Sequence, residues 1–375
     1  MKILHIYKTY YPETLGGIEA YIEALAQEGK KRGIEHHLWC TTKKKQAYIQ
    51  AEGSVTVHAT PQLFALSACP VSVKMLFQAR ALAKKFDVIH VHFPWPFADL
   101  LALLLPKGMP IVVTYHSDIV RQKFLNYFYT PLMHCFLRRV KAILPTSQNY
   151  VLSSPVLRRY QDKCHIVPIG VQDRASDAPD INNLSQWREK IGEGFLLFVG
   201  VLRYYKGLHL LLDAMATLDI PLVIAGDGPE KEALMAQAEK LRLSNVTFLG
   251  YVSDADKGSL FRLAKAVIVP SQFRSEAFCI TLAEGLMYGK PLISTELGTG
   301  TSFVNQQGVT GYVVKAASVS ALTQAIEALF ADEQQYRSFS KAARHRFERL
   351  FSAPQMAESI EKIYRNLIAT PKAAP

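Results

Sequence analysis

Short, nearly unbroken apolar runs recur along the whole chain, and each is followed by a loop and then by a segment of helical period. They fall at 2–7, 38–41, 87–91, 110–115, 142–145 and 165–168, and again at 195–199, 222–225, 246–249, 266–269, 291–294 and 311–314. Runs this short do not make buried helices. Runs this continuous do not make strands with one face in water, so they predict strands covered on both faces, as in a parallel sheet. Parallel strands need crossover connections, and helix-period segments such as 18–32, 208–215 and 257–265 supply them. The alternation predicts an α/β chain of two doubly wound parallel sheets. The segment RASDAPDINN, 174–183, is polar, proline-bearing and aperiodic, and reads as a linker. It divides the 375 residues into a first domain at 1–173 and a second at 184–352, followed by a helical tail at 353–375. Two domains suit a chain of this length.

In such folds ligands bind beyond the carboxyl ends of the strands. The loop with most chemistry there follows the strand at 266–269 and reads PSQFRSEAFCITLAEGLMYGKPLIST. Glu276 lies in the loop and Glu284 in what reads as the first turn of a helix starting near Thr281. A helix start offers free N–H groups and partial positive charge, which suits a phosphate. A carboxylate on each side could fix a sugar and a ribose attached to that phosphate. The same residues also fit a capping box, Thr281-x-x-Glu284, with Gly289-Lys290-Pro291 as an ordinary helix stop. Near the start of the chain, Gly16-Gly17 either brings backbone close to a ligand or makes a tight turn. This opening is not G-x-G-x-x-G, and no acidic residue follows the next strand at the expected distance, which argues against a nicotinamide site. His116 ends the strand at 110–115 and is either a ligand contact or a satisfied structural histidine.

Charge and cysteine usage narrow the partners. The formal net charge is +11, which implies an anionic partner: phosphate, nucleic acid or an acidic membrane face. The basic clusters Lys30-Lys31-Arg32, Lys43-Lys44-Lys45, Lys84-Lys85, Arg121 with Lys123, and Arg138-Arg139 all lie in the first half. No nucleic-acid motif accompanies them, so no nucleic acid is expected. The five cysteines, Cys40, Cys69, Cys135, Cys164 and Cys279, form no C-x-x-C pair and are expected as free thiols. The apolar run 97–106 is interrupted by Asp99 and is too short to span a bilayer. Met1-Lys2 leads directly into the strand ILHIY without a signal-peptide pattern, so a cytoplasmic protein is expected.

Taken in order, Gly16-Gly17-Ile18-Glu19, His116, Ile166-Val167-Pro168-Ile169-Gly170, Gly200 with Lys206-Gly207, Ala225-Gly226-Asp227-Gly228-Pro229, and the E-x7-E pair with Gly289-Lys290-Pro291 resemble the retaining glycosyltransferases of the GT-B fold. KTYYPETLGGIE, TYHSDIVRQK and STELGTGTSFVN are similar to the mannosyl- and rhamnosyltransferases that build O-antigen polysaccharides, which generally use GDP-sugars. The resemblance implies two Rossmann-like domains with a deep cleft between them. The first would take the acceptor, the second the nucleotide-sugar, and the C-terminal helix would return to the first domain.

The resemblance also implies roles. Lys206 and Arg203 would neutralise the leaving diphosphate. Arg203 stands two positions beyond the place, Val201, where the family commonly has its arginine. Backbone N–H groups at Phe278, Cys279 and Ile280, with Gly16 and Gly17, would cradle the phosphates. Ala277 and Cys279 replace small glycines, which backbone contacts tolerate. Glu284 would bind the ribose hydroxyls by charge-assisted hydrogen bonds. Glu276 would orient the transferred sugar, His116 would contact it near the reacting bond, and backbone at Tyr251 and Val252 would hold the base. Fixed cations aimed at the growing diphosphate charge supply the main stabilisation, so no cofactor and no metal is expected. Asp254-Ala255-Asp256 has the form of the metal-binding D-x-D of the other major glycosyltransferase fold, but here Asp254 reads as a helix cap. The implied acceptor is a lipid-linked saccharide, with the basic first domain resting on the anionic inner face of the membrane. The aromatic, basic stretch 121–139 is the contact, or alternatively a buried helix. The alternatives kept open are a UDP-sugar or GDP-rhamnose donor, and a nucleotide-sugar epimerase or sugar-binding protein of similar architecture.

Overall fold

The computed structural model describes residues 1–14, 16–66, 69–119 and 123–369. The basic residue Arg121 and the last residues of the tail, 370–375, lie outside them. The chain forms two compact units, Met1–Gly170 with the stretch from Ala353 onward, and Val171–Ser352.

The first unit opens with β1 (Lys2–Ile6), α1 (Gly17–Lys31), β2 (Glu35–Thr42), β3 (Tyr48–Glu52) and β4 (Val55–Pro61). It continues through the hairpin β5 (Phe64–Leu66) and β6 (Cys69–Val71), then α2 (Val73–Ala83), β7 (Val88–Phe93), α3 (Pro96–Leu104) and β8 (Ile111–Tyr115). Next come α4 (Lys123–Arg139), β9 (Ala142–Pro145), α5 (Gln148–Ser153) and α6 (Pro155–Arg159). The main sheet has the order β3-β4-β2-β1-β7-β8-β9. Its pairs are parallel except β3 with β4. The central strands are buried along their whole length, VIHVHF in β7 and IVVTY in β8, as continuous apolar strands must be when helices cover both faces. Two features depart from the sequence reading. Residues 165–168 are not a strand; they run beside β9 with two backbone hydrogen bonds, His165 N to Ile143 O and Val167 N to Pro145 O. The interval 43–86, where no element was expected, holds β3 to β6 and α2.

The second unit runs α7 (Ile181–Ile191), β10 (Leu196–Val199), α8 (Leu208–Met215), β11 (Leu222–Ala225), α9 (Lys231–Lys240), β12 (Val246–Gly250) and α10 (Asp254–Leu263). Then follow β13 (Ala266–Val269), α11 (Ile280–Met287), β14 (Leu292–Glu296), α12 (Thr301–Val304), β15 (Gly311–Lys315), α13 (Val319–Ala331) and α14 (Glu333–Leu350). The expected linker is shorter than 174–183, because Asp180 caps α7 through Asn183 N and its last three residues are already helical. The sheet order is β12-β11-β10-β13-β14-β15, with every pair parallel. Leu196, Phe198, Leu212, Ile224, Ile268 and Ile326 are among the side chains of the core between this sheet and its helices. After Ser352, α15 (Ala353–Ala369) belongs to the first unit. It packs on α1, with Arg32 paired to Glu361 at 3.3 Å. The helical stretch from Val319 to Ala369 thus breaks at Phe351–Ser352, and also at Asp332, which caps α14.

Both sheets reverse direction of winding once, between β1 and β7 in the first unit and between β10 and β13 in the second. At such a switch point the loops diverge and leave a crevice at the carboxyl ends of the strands. Among the described residues no helix is long and apolar enough to cross a membrane.

Candidate active site

The loops after β10 and β13 meet at the switch point of the second unit. After β10 the chain makes one turn of 3-10 helix, Tyr204–Lys206, and leaves it at Gly207 with φ 71°. A Cβ at Gly207 would lie 2.2 Å from the backbone oxygen of Pro270, so only glycine lets the two loops pass this closely. The approach brings Lys206 Nζ to 2.5 Å from Glu276 Oε2. Both residues are buried, at 8% and 7% exposure. Ser271 Oγ donates to the same carboxylate oxygen at 3.0 Å. Burial opposes the charge on Lys206, but Cys279 and the Glu276 carboxylate outweigh it and hold the ammonium above the ordinary lysine range. Burial pushes the Cys279 thiol up to about 12. That thiol is neutral near pH 7, so the carboxylate is the partner that acts there. A buried pair of this kind is costly to break, because either ion left alone is uncompensated.

Helix α11 begins at Ile280, and Cys279 is its N-cap with φ 67°. A side chain other than glycine is uncommon in that left-handed region. Thr281 is therefore inside the helix, where its Oγ1 donates to Val199 O at 3.1 Å. Glu284 stands in the second turn, not the first, and its Oε1 accepts from Lys257 Nζ at 2.7 Å. The capping-box alternative is thus not realised. Lys257 also reaches Asp254 at 3.3 Å, and Asp254 pairs with Arg174 at 2.9 Å. Lys257 was not anticipated. It reads as an ordinary solvated helix residue, and only the packing of its helix beside α11 gives it a role.

The cap of α10 is also corrected. Ser253, not Asp254, accepts from Asp256 N, and Asp256 closes a capping box. Hydrogen bonds from Ser253, Asn183 and Trp187 push Asp256 down to about 2. Both carboxylates of the D-x-D are therefore committed to protein partners. Arg203 is exposed at the head of the 3-10 turn, and its guanidinium has no side-chain partner among the described residues. Tyr251 is exposed just past β12, and Val252 is half-buried. Ala277 is half-buried, with its carbonyl accepting from Gly300 N at 2.7 Å, and the Phe278 side chain is buried beside it.

In the first unit, Gly16 caps α1 in extended backbone and Gly17 is its first residue. The buried Glu19 folds back over this helix start. Its Oε2 lies 2.7 Å from where a Cβ on Gly16 would be, and Oε1 accepts from Thr14 Oγ1 at 2.6 Å. The positive helix end therefore already carries a carboxylate, which the sequence reading overlooked. His116 follows β8, its backbone N donating to Phe93 O at 3.2 Å. Its ring Nε2 lies 3.0 Å from His92 Nδ1. Burial pushes His116 down to about 3, so the ring is neutral. Among the described residues, His5, His90 and His92 bring ring nitrogens within 4.8 Å of one another, close enough to suggest a cation site. Those nitrogens already have hydrogen-bond partners, however: His5 with His92, and His90 with Thr114 and Tyr364.

Two Rossmann-like units in tandem, the second with an E-x7-E pair and a buried lysine at its switch point, have the architecture of a GT-B glycosyltransferase. Residues 15–174 match the family described as Glycosyltransferase Family 4, and residues 181–346 match the one described as Glycosyl transferases group 1. The chain is 42% identical to the O-antigen chain mannosyltransferase C of Escherichia coli, over 98% of its own length and 99% of the other's. It is 45% identical to the D-rhamnosyltransferase WbpZ of Pseudomonas aeruginosa, over 94% and 93%. Its fold is similar to that of sucrose-phosphate synthase from Thermosynechococcus elongatus, with a TM-score of 0.78 at 19% identity, covering 98% and 99% of the two chains. The chain belongs to the group 1 glycosyltransferases.

Proposed function

We propose that this glycosyltransferase moves a hexose, mannose from GDP-mannose, with retention of configuration onto a lipid-linked saccharide in O-antigen synthesis. The observation that carries the site assignment is the buried Lys206–Glu276 pair. One carboxylate, anchored on the loop before α11, fixes the cation for the leaving diphosphate and stands ready to orient the sugar attached to it. As the anomeric bond breaks, charge grows on the diphosphate. A lysine already held in place meets that charge without reorganisation. Arg203, exposed and without a hydrogen-bonded side-chain partner among the described residues, is the second cation. The backbone N–H groups at Phe278, Cys279 and Ile280 receive phosphate oxygens. Glu284, oriented by Lys257, takes the ribose hydroxyls. His116 contacts the sugar, and backbone at Tyr251 and Val252 holds the base. The departing phosphate oxygen takes the proton of the acceptor hydroxyl as the new bond forms on the same face.

With the diphosphate met by Lys206 and Arg203 and the D-x-D committed elsewhere, transfer proceeds without a metal. The 42% identity to an O-antigen mannosyltransferase supports the donor and the pathway. The 45% identity to a D-rhamnosyltransferase favours GDP-rhamnose as the second reading.

The test is calorimetry with GDP, UDP and ADP in EDTA, beside Glu284→Ala. Preference for GDP, weakened about tenfold or more by loss of the charged acceptor, supports the reading. Preference for UDP discards the GDP-sugar donor, and a requirement for added metal discards the metal-free cradle. GDP-mannose against GDP-rhamnose in a transfer assay then separates the two donors.

The protein works in the cytoplasm, peripherally on the inner face of the membrane. Exposed Tyr127 and Phe128 on α4, Phe77 on α2, and Leu63 with Phe64 at β5 give the first unit apolar side chains for such a surface. Each nearby basic side chain adds about 1 kcal/mol on an anionic leaflet. Failure to float with anionic vesicles at low salt would refute this part.

A further inference from the structure

One face of the first sheet carries a cluster of histidines, four of which form a file. β2 supplies His36, β1 supplies His5, and β7 supplies His90 and His92, two apart and so on the same face. His116 follows β8. The strand register sets His5 opposite His90 and His92 opposite Thr114. Four of these rings are joined end to end: His36 Nδ1 to His5 Nε2 at 2.8 Å, His5 Nδ1 to His92 Nε2 at 2.9 Å, and His92 Nδ1 to His116 Nε2 at 3.0 Å. Every link joins Nδ1 of one ring to Nε2 of the next.

A neutral imidazole has one donor and one acceptor, so this file has two self-consistent states. In one, every ring carries its proton on Nδ1. In the other, every ring carries it on Nε2. The dead end decides between them. Among the described residues, His36 Nε2 is buried without a hydrogen-bond partner. It is pressed against α1 at Gly29, where a Cβ would come within 2.1 Å of it. A buried N–H with no acceptor is rarer and costlier than a bare acceptor. The Nδ1–H state leaves only a lone pair at that dead end, whereas the other state buries an unpaired donor. At the far end, His116 Nδ1 has no partner among the described residues, so it remains available as a donor.

We propose that His92, His5 and His36 are positioning residues that hold His116 in its Nδ1–H form, so that its open edge donates a hydrogen bond to an oxygen of the transferred sugar. This rests on the reading above that His116 faces the sugar. A ring without the file would favour Nε2–H, as free histidine does, and would turn toward the sugar a lone pair that can accept from a hydroxyl but cannot donate to an oxygen. His90 stands outside the file. It stacks on His92 at 4.6 Å and is hydrogen-bonded to Thr114 and Tyr364.

The test reads ring nitrogens directly, by ¹⁵N NMR of the full chain labelled in histidine, at pH 7.5 and without donor or acceptor. The expected spectrum shows a protonated Nδ1 and a bare Nε2 at His36, His5, His92 and His116. Nε2–H at His116, an imidazolium in the file, or zinc-shifted resonances at His5, His90 and His92 on adding zinc would overturn the proposal. The wild-type spectrum needs no variant to fold, and it stands or falls independently of which sugar is transferred.

His92→Leu cuts the file beside His116. It should bring Nε2–H into the His116 signal and lower kcat about tenfold or more, the scale of one lost transition-state donor. The donor KM should move less than about threefold. His90→Gln, equally buried but outside the file, should leave the His116 signal in place. An unchanged kcat in His92→Leu, or an altered tautomer in His90→Gln, would refute the role of the file.

Discussion

Acid should dismantle the first unit before the second. His5, His36, His90, His92 and His116 are all buried there. Burial is the leading cause that pulls each below 6.5, to about 4 for His36, about 3 for His116 and well below for the other three. The unfolded chain takes up a proton on each near pH 6.5, while the folded chain does not. Below that value the unfolded state binds more protons, so stability is full above pH 6.5 and falls as the pH drops toward the folded values. At pH 5.5 each histidine forfeits about 1.4 kcal/mol, and the five together about 7 kcal/mol relative to pH 7.5. Asp99 works the other way, since burial raises its carboxyl well above the usual range. One such carboxyl regains at most about 3 kcal/mol over the same two pH units. The net loss of about 4–7 kcal/mol is comparable to the whole stability of a typical domain, roughly 5–15 kcal/mol. The second unit is the internal control, because neither His209 nor His345 is buried.

The assay is amide hydrogen exchange across pH 7.5 to 5.5, corrected for intrinsic rates, with β1, β7 and β8 read against β10, β11 and β13. Protection should collapse in the first set while it persists in the second. Equal loss in both sets, or a flat profile in the first, would refute the sign or the count of buried neutral rings.

Two further outcomes follow from the second unit. Lys206→Met and Glu276→Gln should each cost about 3 kcal/mol in denaturant unfolding by stranding a buried partner. The double variant should cost clearly less than the sum, whereas strict additivity would mean that the pair does not interact. Ser253→Ala should cost about 1 kcal/mol by removing the cap of α10. Asp254→Asn should cost less, since its ion pairs are largely exposed, and the reverse order would restore Asp254 as the cap.

The fold was legible wherever strands are buried on both faces. Leu222–Ala225 and Ala266–Val269 stand where their apolar runs predict them, because such a strand has no polar position to interrupt it. The pattern failed at the rim of the first sheet. Tyr48–Glu52 alternates between half-buried and exposed positions, so its residues read as a loop. At 165–168 the composition suits a strand, but the segment makes only two backbone hydrogen bonds to the β9 edge. Composition can say that a segment suits a sheet without saying that the sheet extends to receive it.

The site divides in the same way. Glycine loops and paired glutamates mark which loops approach closely and carry charge, because both are properties of the residues themselves. Which carboxylate meets which cation is a property of the sheet. Lys206 finds Glu276 because β10 and β13 are neighbours, although β11 and β12 intervene in the chain. Lys257 finds Glu284 because α10 lies alongside α11. The histidine file is the sharper case. His90 and His92 are visible as polar residues at strand period in β7, and His5 as a lone ring in β1, whereas His36, between Glu35 and His37 ahead of the run at 38–41, carries no such mark. Each alone would pay for burial with nothing gained, since an unpartnered imidazole in a strand interior leaves a donor or an acceptor unmet. They are tolerated because β1 lies between β2 and β7, so that His36, His5 and His92 partner one another, while His90 finds Thr114 and Tyr364. A polar residue repeated inside strands that are otherwise apolar is therefore itself a signal. It announces a network before the register shows whose partner is whose.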